Sequence, residues 1–274
     1  MNSVAVHESA KVSRIRIAKV PVDCLSLDQA AEELCRRVES RSHTHVVFVN
    51  AAKVVKYGQE PGLRQAMEDA DLLFADGMPL VWASRCLRRP LPGRVNGTDL
   101  MERMVGLASS RGYRVFFLGA RPHVIEKTVR EFQRRHPELQ VAGFHHGYFA
   151  AHDNDSVIDL INDSGADLLL VGMSTPAKEV WGHQNLQRLK VPVVQGVGGS
   201  FDVVAGMVSR APVWMQKSGT EWFYRFMQEP RRMWRRYLTT NSRFLLLIFA
   251  EWLAATRSTG RAAPDELESR FPES

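Results

Sequence analysis

An α/β fold, with a parallel sheet covered by helices on both faces, is predicted by three observations on this 274-residue sequence. Short apolar runs recur along the chain, and most of them end at Asn, Asp, Gly or Ser. Stretches of helical periodicity separate these runs. No apolar run approaches the roughly 20 residues needed to span a bilayer. Strand, loop and helix in repeated alternation imply parallel strands, because each crossover lays a helix back over the sheet.

Taken in order, "HVVFVN" reads as a strand ending at Asn50, and "DLLFA" as one that delivers Asp76. Gly77 then frees the backbone to turn, and Met78 to Arg88 has helical character. "YRVFFLGA" is a strand ending at Gly119, followed by the helical "HVIEKTVREFQRRH". "LQVAGFHHGYF" is a strand running into a loop at Tyr148, and "ADLLLVGM" ends near Ser174. "VPVVQGVGGSF" is a last strand entering a glycine-rich turn. In such a Rossmann-like sheet ligands bind beyond the carboxyl ends of the strands. Asn50, Asp76, Gly119, Tyr148, Ser174 and Gly196 are therefore expected on one rim. The core is assigned to residues 13–208, with residues 1–12 and 257–274 read as disordered tails.

The composition changes after Ser209. Four of the six tryptophans follow it: Trp214, Trp222, Trp234 and Trp252. From Pro230 onward Met233, Trp234, Tyr237, Leu238 and Leu245 recur at helical spacing, while Arg231, Arg232, Arg235, Arg236 and Arg243 occupy other faces. Residues 209–256 thus read as a basic amphipathic helical appendage of the kind that lies in a membrane interface. An ordinary packed helix with a solvated arginine face is the alternative.

Charged residues at 24% and hydrophobic ones at 45% are those of a globular protein. The net charge of +6 favours an anionic partner. Because the basic excess concentrates in the C-terminal segment rather than in a stripe over the core, a nucleic-acid partner is not expected. Cys24, Cys35 and Cys86 lack ligand spacing and read as reduced thiols of a cytoplasmic protein. The N-terminus has no apolar segment of signal-peptide type. The pairs His43/His45 and His145/His146 have no carboxylate or cysteine at metal-ligand spacing, so no metal site is expected.

Asp76 has two readings. At the carboxyl end of a strand it stands where ligands bind, yet an aspartate before a helix also suits an N-cap. "QGVGGSFDVVAG" follows a strand, and its backbone amides suit a phosphate or nucleotide, but its glycines lack the G-x-G-x-x-G spacing of a dinucleotide fold. "PGRVNGTDL" presents Arg94 beside two turn glycines, where a guanidinium can clamp a phosphate or carboxylate, with Thr98 as the expected cap of the following helix. The nucleophile-elbow and P-loop patterns are both missing.

Five ordered blocks then carry a resemblance: "FVNAAKVV", "ADGMPLVWASR", "RVNGTDLM", "GVGGSFDVVAG" and "RAPVWMQKSGTEWFYRFMQEPRRMWRRYL". Together, from Thr44 to Leu238, the chain resembles the WecG/TagA/CpsF family of bacterial glycosyltransferases. The resemblance implies an inverting, metal-independent transfer of a hexose or N-acetylhexosamine. The donor would be a UDP-sugar, a substrate rather than a cofactor. The acceptor would be a polyprenyl-diphosphate-linked saccharide of cell-surface or exopolysaccharide synthesis. It also implies a peripheral position at the inner face of the cell membrane. It makes Asp76 the general base and puts Asn50 and Arg94 in the sugar pocket. Tyr148, Gly196, Gly198, Gly199 and Asp202 would hold the nucleotide, and Arg225, Arg232 and Arg235 the diphosphate. Two positions depart from the family pattern. Phe48 replaces a threonine, and "TPAKE" carries Lys178 in place of a glutamine. Lys178 thereby offers a cation to a phosphate or an acidic sugar, and the donor stays open between N-acetylmannosamine and a hexose such as glucose. A catalytically inactive nucleotide-binding scaffold at the membrane surface is the alternative function.

Overall fold

The computed structural model describes residues 12–212, 214–215, 220–228 and 230–259, so the tails expected at 1–11 and 260–274 lie outside the described residues. The chain opens with an antiparallel hairpin, β1 (Arg14–Ile17) and β2 (Val20–Asp23). Sequence periodicity gave no sign of these strands, each only four residues long. The hairpin guards an edge of the main sheet, whose unpaired backbone groups would otherwise invite another strand. The Asp23 carboxylate accepts from Leu73 N at 2.8 Å and from Arg14 Nε at 2.6 Å.

The main sheet comprises β3 (Thr44–Val49), β4 (Leu72–Ala75), β5 (Arg114–Gly119), β6 (Gln140–His145), β7 (Leu168–Gly172) and β8 (Val193–Gly196). All neighbours are parallel, in the order β4-β3-β8-β7-β5-β6. Every residue of β3, β4 and β7 is buried, as a sheet covered on both sides requires.

One face packs α1 (Leu27–Glu39), α5 (Gly97–Arg111), α6 (Pro122–Arg135) and α9 (Ser200–Val204) around Phe48, Phe74 and Phe117. The other carries α2 (Ala51–Tyr57), α3 (Pro61–Glu68) and α4 (Met78–Cys86) over Val47, Val49 and Leu73. Beside them α7 (Asn154–Asp163) and α8 (Ala177–Asn185) cover Leu169, Val171 and Val194. The adjacent strands β3 and β8 are therefore left by helices on opposite faces, α2 and α9. That divergence opens a crevice at their carboxyl ends.

Two further helices are described towards the C-terminus, α10 (Glu221–Gln228) and α11 (Pro230–Thr259). The helix expected from Pro230 is present, but it continues through residues 257–259, which correct the C-terminal tail by three positions. Phe244 and Ile248, one turn apart, enter the core beside α2. Glu251, near the end of the helix, accepts from Ala18 N at 2.6 Å and from Arg89 Nη1 at 3.0 Å. These contacts tie α11 to the hairpin turn, where Ala18 and Lys19 both adopt positive φ. Leu245, placed by its spacing on the apolar face of the amphipathic helix, is exposed together with Leu246, Phe249 and Trp252. Among the described residues no helix is long and apolar enough to cross a membrane.

His45 of β3 is pinned beneath α8, where a Cβ on Gly182 would lie 2.6 Å from its Nε2. Burial foremost, helped by the charges of His183 and Lys53 against Glu179, pushes the imidazole down to about 4. The unfolded chain then binds a proton that the folded one refuses, so stability should fall as pH drops from 6.5 towards 4. By pH 5 the loss relative to pH 7 should reach about 2 kcal/mol. Urea unfolding at the two pH values, with His45→Gln as the variant that flattens the difference, checks this.

Candidate active site

Asp76 follows β4 directly, its backbone N–H reaching Val49 O at 2.7 Å. The cap position of α4 falls on Gly77, at φ +115°, a conformation open to glycine, and not on Asp76. Instead the Asp76 carboxylate accepts from Asn96 Nδ2 at 2.9 Å. The other end of the same amide caps α5, Oδ1 accepting from Thr98 N at 2.9 Å and Asp99 N at 3.3 Å. The cap expected at Thr98 thus falls on Asn96, which holds the aspartate and the helix at once. The Thr98 hydroxyl is instead 2.8 Å from Ser200 Oγ, tying the start of α5 to the glycine turn after β8.

That turn supports a buried charge cluster. A Cβ on Gly196 would lie 3.3 Å from Lys178 Cδ, and one on Gly198 3.7 Å from its Nζ, so the lysine stem crosses the turn where side chains are missing. Lys178 Nζ donates to Thr175 Oγ1 at 2.6 Å and pairs with Glu179 at 2.7 Å. Lys53 pairs with the same Glu179 oxygen at 2.6 Å and donates to Phe48 O. Lys53, Lys178 and Glu179 are 4%, 7% and 2% exposed, so two ammonium groups share one carboxylate away from water. Burial would raise Glu179, but the two lysines overcome it and hold the carboxylate at about 2. Burial and the charge of Lys53 push Lys178 down to about 8, against the attraction of Glu179 and Asp76.

Arg94 lies in a square of charges rather than alone on a turn. Its guanidinium is 3.1 Å from Glu221 of α10 and 3.9 Å from Asp99 of α5. Arg210 completes the square, bonded to Asp99 and 3.8 Å from Glu221. Asn50 caps α2, its Oδ1 accepting from Lys53 N at 3.0 Å. Tyr148 is exposed after β6, and Asp202 sits on α9 beyond the glycine turn. The structure therefore brings Asp76, Lys178, Gly196, Gly198, Gly199 and Arg94 to the carboxyl edge of the sheet. Arg225, Arg232 and Arg235 stand on α10 and α11, with side chains outside the described residues. Among the described residues no group of three or more His, Cys, Asp or Glu could hold a metal ion.

Sequence reasoning missed Asn96, Lys53, Glu179 and Glu221. Asn96 had a usable signal, an asparagine directly before a helix start. The other three belong to pairs closed over 126 and 127 residues in the cases of Lys53–Glu179 and Arg94–Glu221, beyond any local pattern.

A loop-borne carboxylate beside a glycine turn and a buried ammonium, at the edge of a parallel sheet, fits group transfer from an anionic donor. The profile of the Glycosyl transferase WecG/TagA/CpsF family matches residues 15–258. The chain belongs to this family. It is a glycosyltransferase. Among similar proteins, an N-acetylglucosaminyldiphosphoundecaprenol N-acetyl-beta-D-mannosaminyltransferase of Bacillus spizizenii is 35% identical over 181 residues, 66% of this chain and 69% of the relative. A protein of the same name from Staphylococcus aureus is 30% identical over 234 residues, 85% of this chain and 91% of the relative.

In this glycosyltransferase Glu179 is the anion on which both buried lysines depend. Replacing Glu179 by Gln should cost about 3 kcal/mol or more, because two desolvated cations lose their partner. Chemical denaturation of the variant measures that loss.

Proposed function

We propose that this enzyme transfers a sugar, with inversion, from a UDP-sugar to a saccharide carried on a polyprenyl diphosphate, and that it does so without a metal ion. The observation that carries the proposal is the Asn96-held carboxylate of Asp76, on the rim that Lys178 and the glycine turn share. The names of the similar proteins, which specify a diphosphoundecaprenol-linked acceptor, support this acceptor class.

Asp76 takes the proton from the acceptor hydroxyl as that oxygen attacks the anomeric carbon, and the bond to the UDP oxygen breaks on the opposite face of the sugar. One carboxylate suffices, since the leaving diphosphate needs charge stabilisation rather than a proton. The glycine turn offers backbone amides to the phosphates, and Lys178 supplies a cation at its edge. Arg225, Arg232 and Arg235 add guanidinium forks from the appendage. Asn50 and Arg94 line the sugar side, and Tyr148 with Asp202 the nucleoside side. Lys178 in place of an amide favours a donor whose phosphates or sugar carry extra negative charge, and leaves both N-acetylmannosamine and glucose as sugars to test.

The exposed row Leu245, Leu246, Phe249 and Trp252 on α11 supports attachment to a membrane surface, next to a run of arginines suited to anionic headgroups. Such a position on the inner face of the membrane gives access to a lipid-linked acceptor without a spanning helix.

Acceptor-dependent UDP release, measured over a panel of UDP-sugars, should single out one donor and fall about 100-fold or more in Asp76→Asn. Equal release by both proteins overturns the base assignment. UDP affinity measured by calorimetry from pH 6.5 to 9.5 should weaken as pH rises through about 8, where Lys178 loses its charge. Lys178→Gln should bind UDP more weakly and lose that dependence.

A further inference from the structure

The square formed by Arg94, Asp99, Arg210 and Glu221 brings together three separate stretches of chain. Arg94 and Asp99 bracket the turn that leads into α5, Arg210 follows the core, and Glu221 begins α10. Two positive and two negative charges balance, and each arginine contacts both carboxylates. Their side chains are only 12–26% exposed, so water and salt screen them less than surface pairs.

What the square encloses gives it a role. Between Arg94 and Asp99 lie Val95, whose N–H is bonded to Ala75 O at 2.8 Å, and Asn96, whose amide holds Asp76. Asp99 enters the arrangement twice, its carboxylate in the square and its backbone N–H on Asn96 Oδ1. Both ends of the turn that carries Asn96 are thus clamped by charges from outside the sheet core. Arg210 and Glu221 both come from the appendage, Glu221 from its helix α10, where Arg225 follows by one helical turn.

We infer that Glu221 is a positioning residue: it latches α10 to the rim and, through the Arg94–Asp99 turn, holds Asn96 where it orients the Asp76 carboxylate. The inference rests on the reading of Asp76 as the base, and it adds a physical link between docking of the appendage and the readiness of that base. Uncoupled from Glu221 and Arg210, the turn loses one clamp at each end. Asn96 then spends time off Asp76, and the transfer step slows while the donor pocket at the glycine turn keeps its shape.

The test uses the full chain with Glu221→Gln and Arg210→Gln, two variants that break the square from different elements, and Glu221→Asp as the charge-keeping control. Hydrogen–deuterium exchange of the peptide covering residues 94–100 should quicken about tenfold in both glutamine variants, with β5 and β6 unchanged. In the transfer assay kcat should fall about tenfold or more while KM for the donor moves less than about threefold, and Glu221→Asp should recover part of the loss. Unchanged exchange at residues 94–100 in both glutamine variants overturns the latch, whatever the activity. A donor KM that rises as far as kcat falls overturns it too, because the square would then serve binding alone. If the wild-type enzyme transfers no sugar from any UDP donor, the proposed reaction fails, and the exchange measurement still decides whether Glu221 holds the turn.

Discussion

Glu179 faces two ammonium groups, Lys53 and Lys178, where none of the three is more than 7% exposed. Coulomb attraction between such groups is strong only because water is excluded, and the same exclusion makes any unmatched charge costly. One anion for two cations leaves a residual positive charge at the crevice between β3 and β8. The second negative group within reach belongs to Asp76. With Asp76 counted, two cations face two anions, and the glycine turn lies directly beside them. The buried sheet makes this possible, since only a strand edge covered on both faces keeps such a cluster dry.

The last helix meets two demands along one length. At positions four residues apart Phe244 and Ile248 extend the apolar layer over α2, and Glu251 fastens the far end to the β1–β2 turn. Leu245, Leu246, Phe249 and Trp252 face the other way. A helix apolar on both sides is unusual at a protein surface, where one stripe is enough to pack it. The inner stripe fixes the helix as a third layer of the core, and the outer one is an extended apolar surface in its own right.

Much of the architecture was legible in the sequence because most of the runs that became β3 to β8 have an apolar centre buried on both faces, a pattern that parallel strands produce, while β6 at the sheet edge is the mixed exception. The hairpin was not, since two four-residue strands give too short an alternation and their reason for existing is an edge elsewhere in the chain. Asp76 could be placed at a strand end from Gly77 alone. That its carboxylate meets the Asn96 amide could not be read there, because the contact is tertiary. Lys178 stood out as a change of chemistry at a recognisable position, whereas its partner Lys53 lies on another helix and has no pattern of its own. The charge square was hidden for the same reason: Arg94 looked like a solitary arginine because its partners Asp99 and Glu221 lie five and 127 positions away, the farther one beyond any local pattern.

The square also bears on how proteins of this architecture exchange parts. A recombinant in which the C-terminal segment of one relative is joined to the core of another inherits Glu221 and Arg210 from one parent and Arg94 and Asp99 from the other. Where the parents place those four charges differently, the junction buries like charges together or leaves one without its opposite. A transplant that keeps the square intact is therefore discontinuous, moving the Arg94–Asp99 turn together with the segment that begins at Arg210.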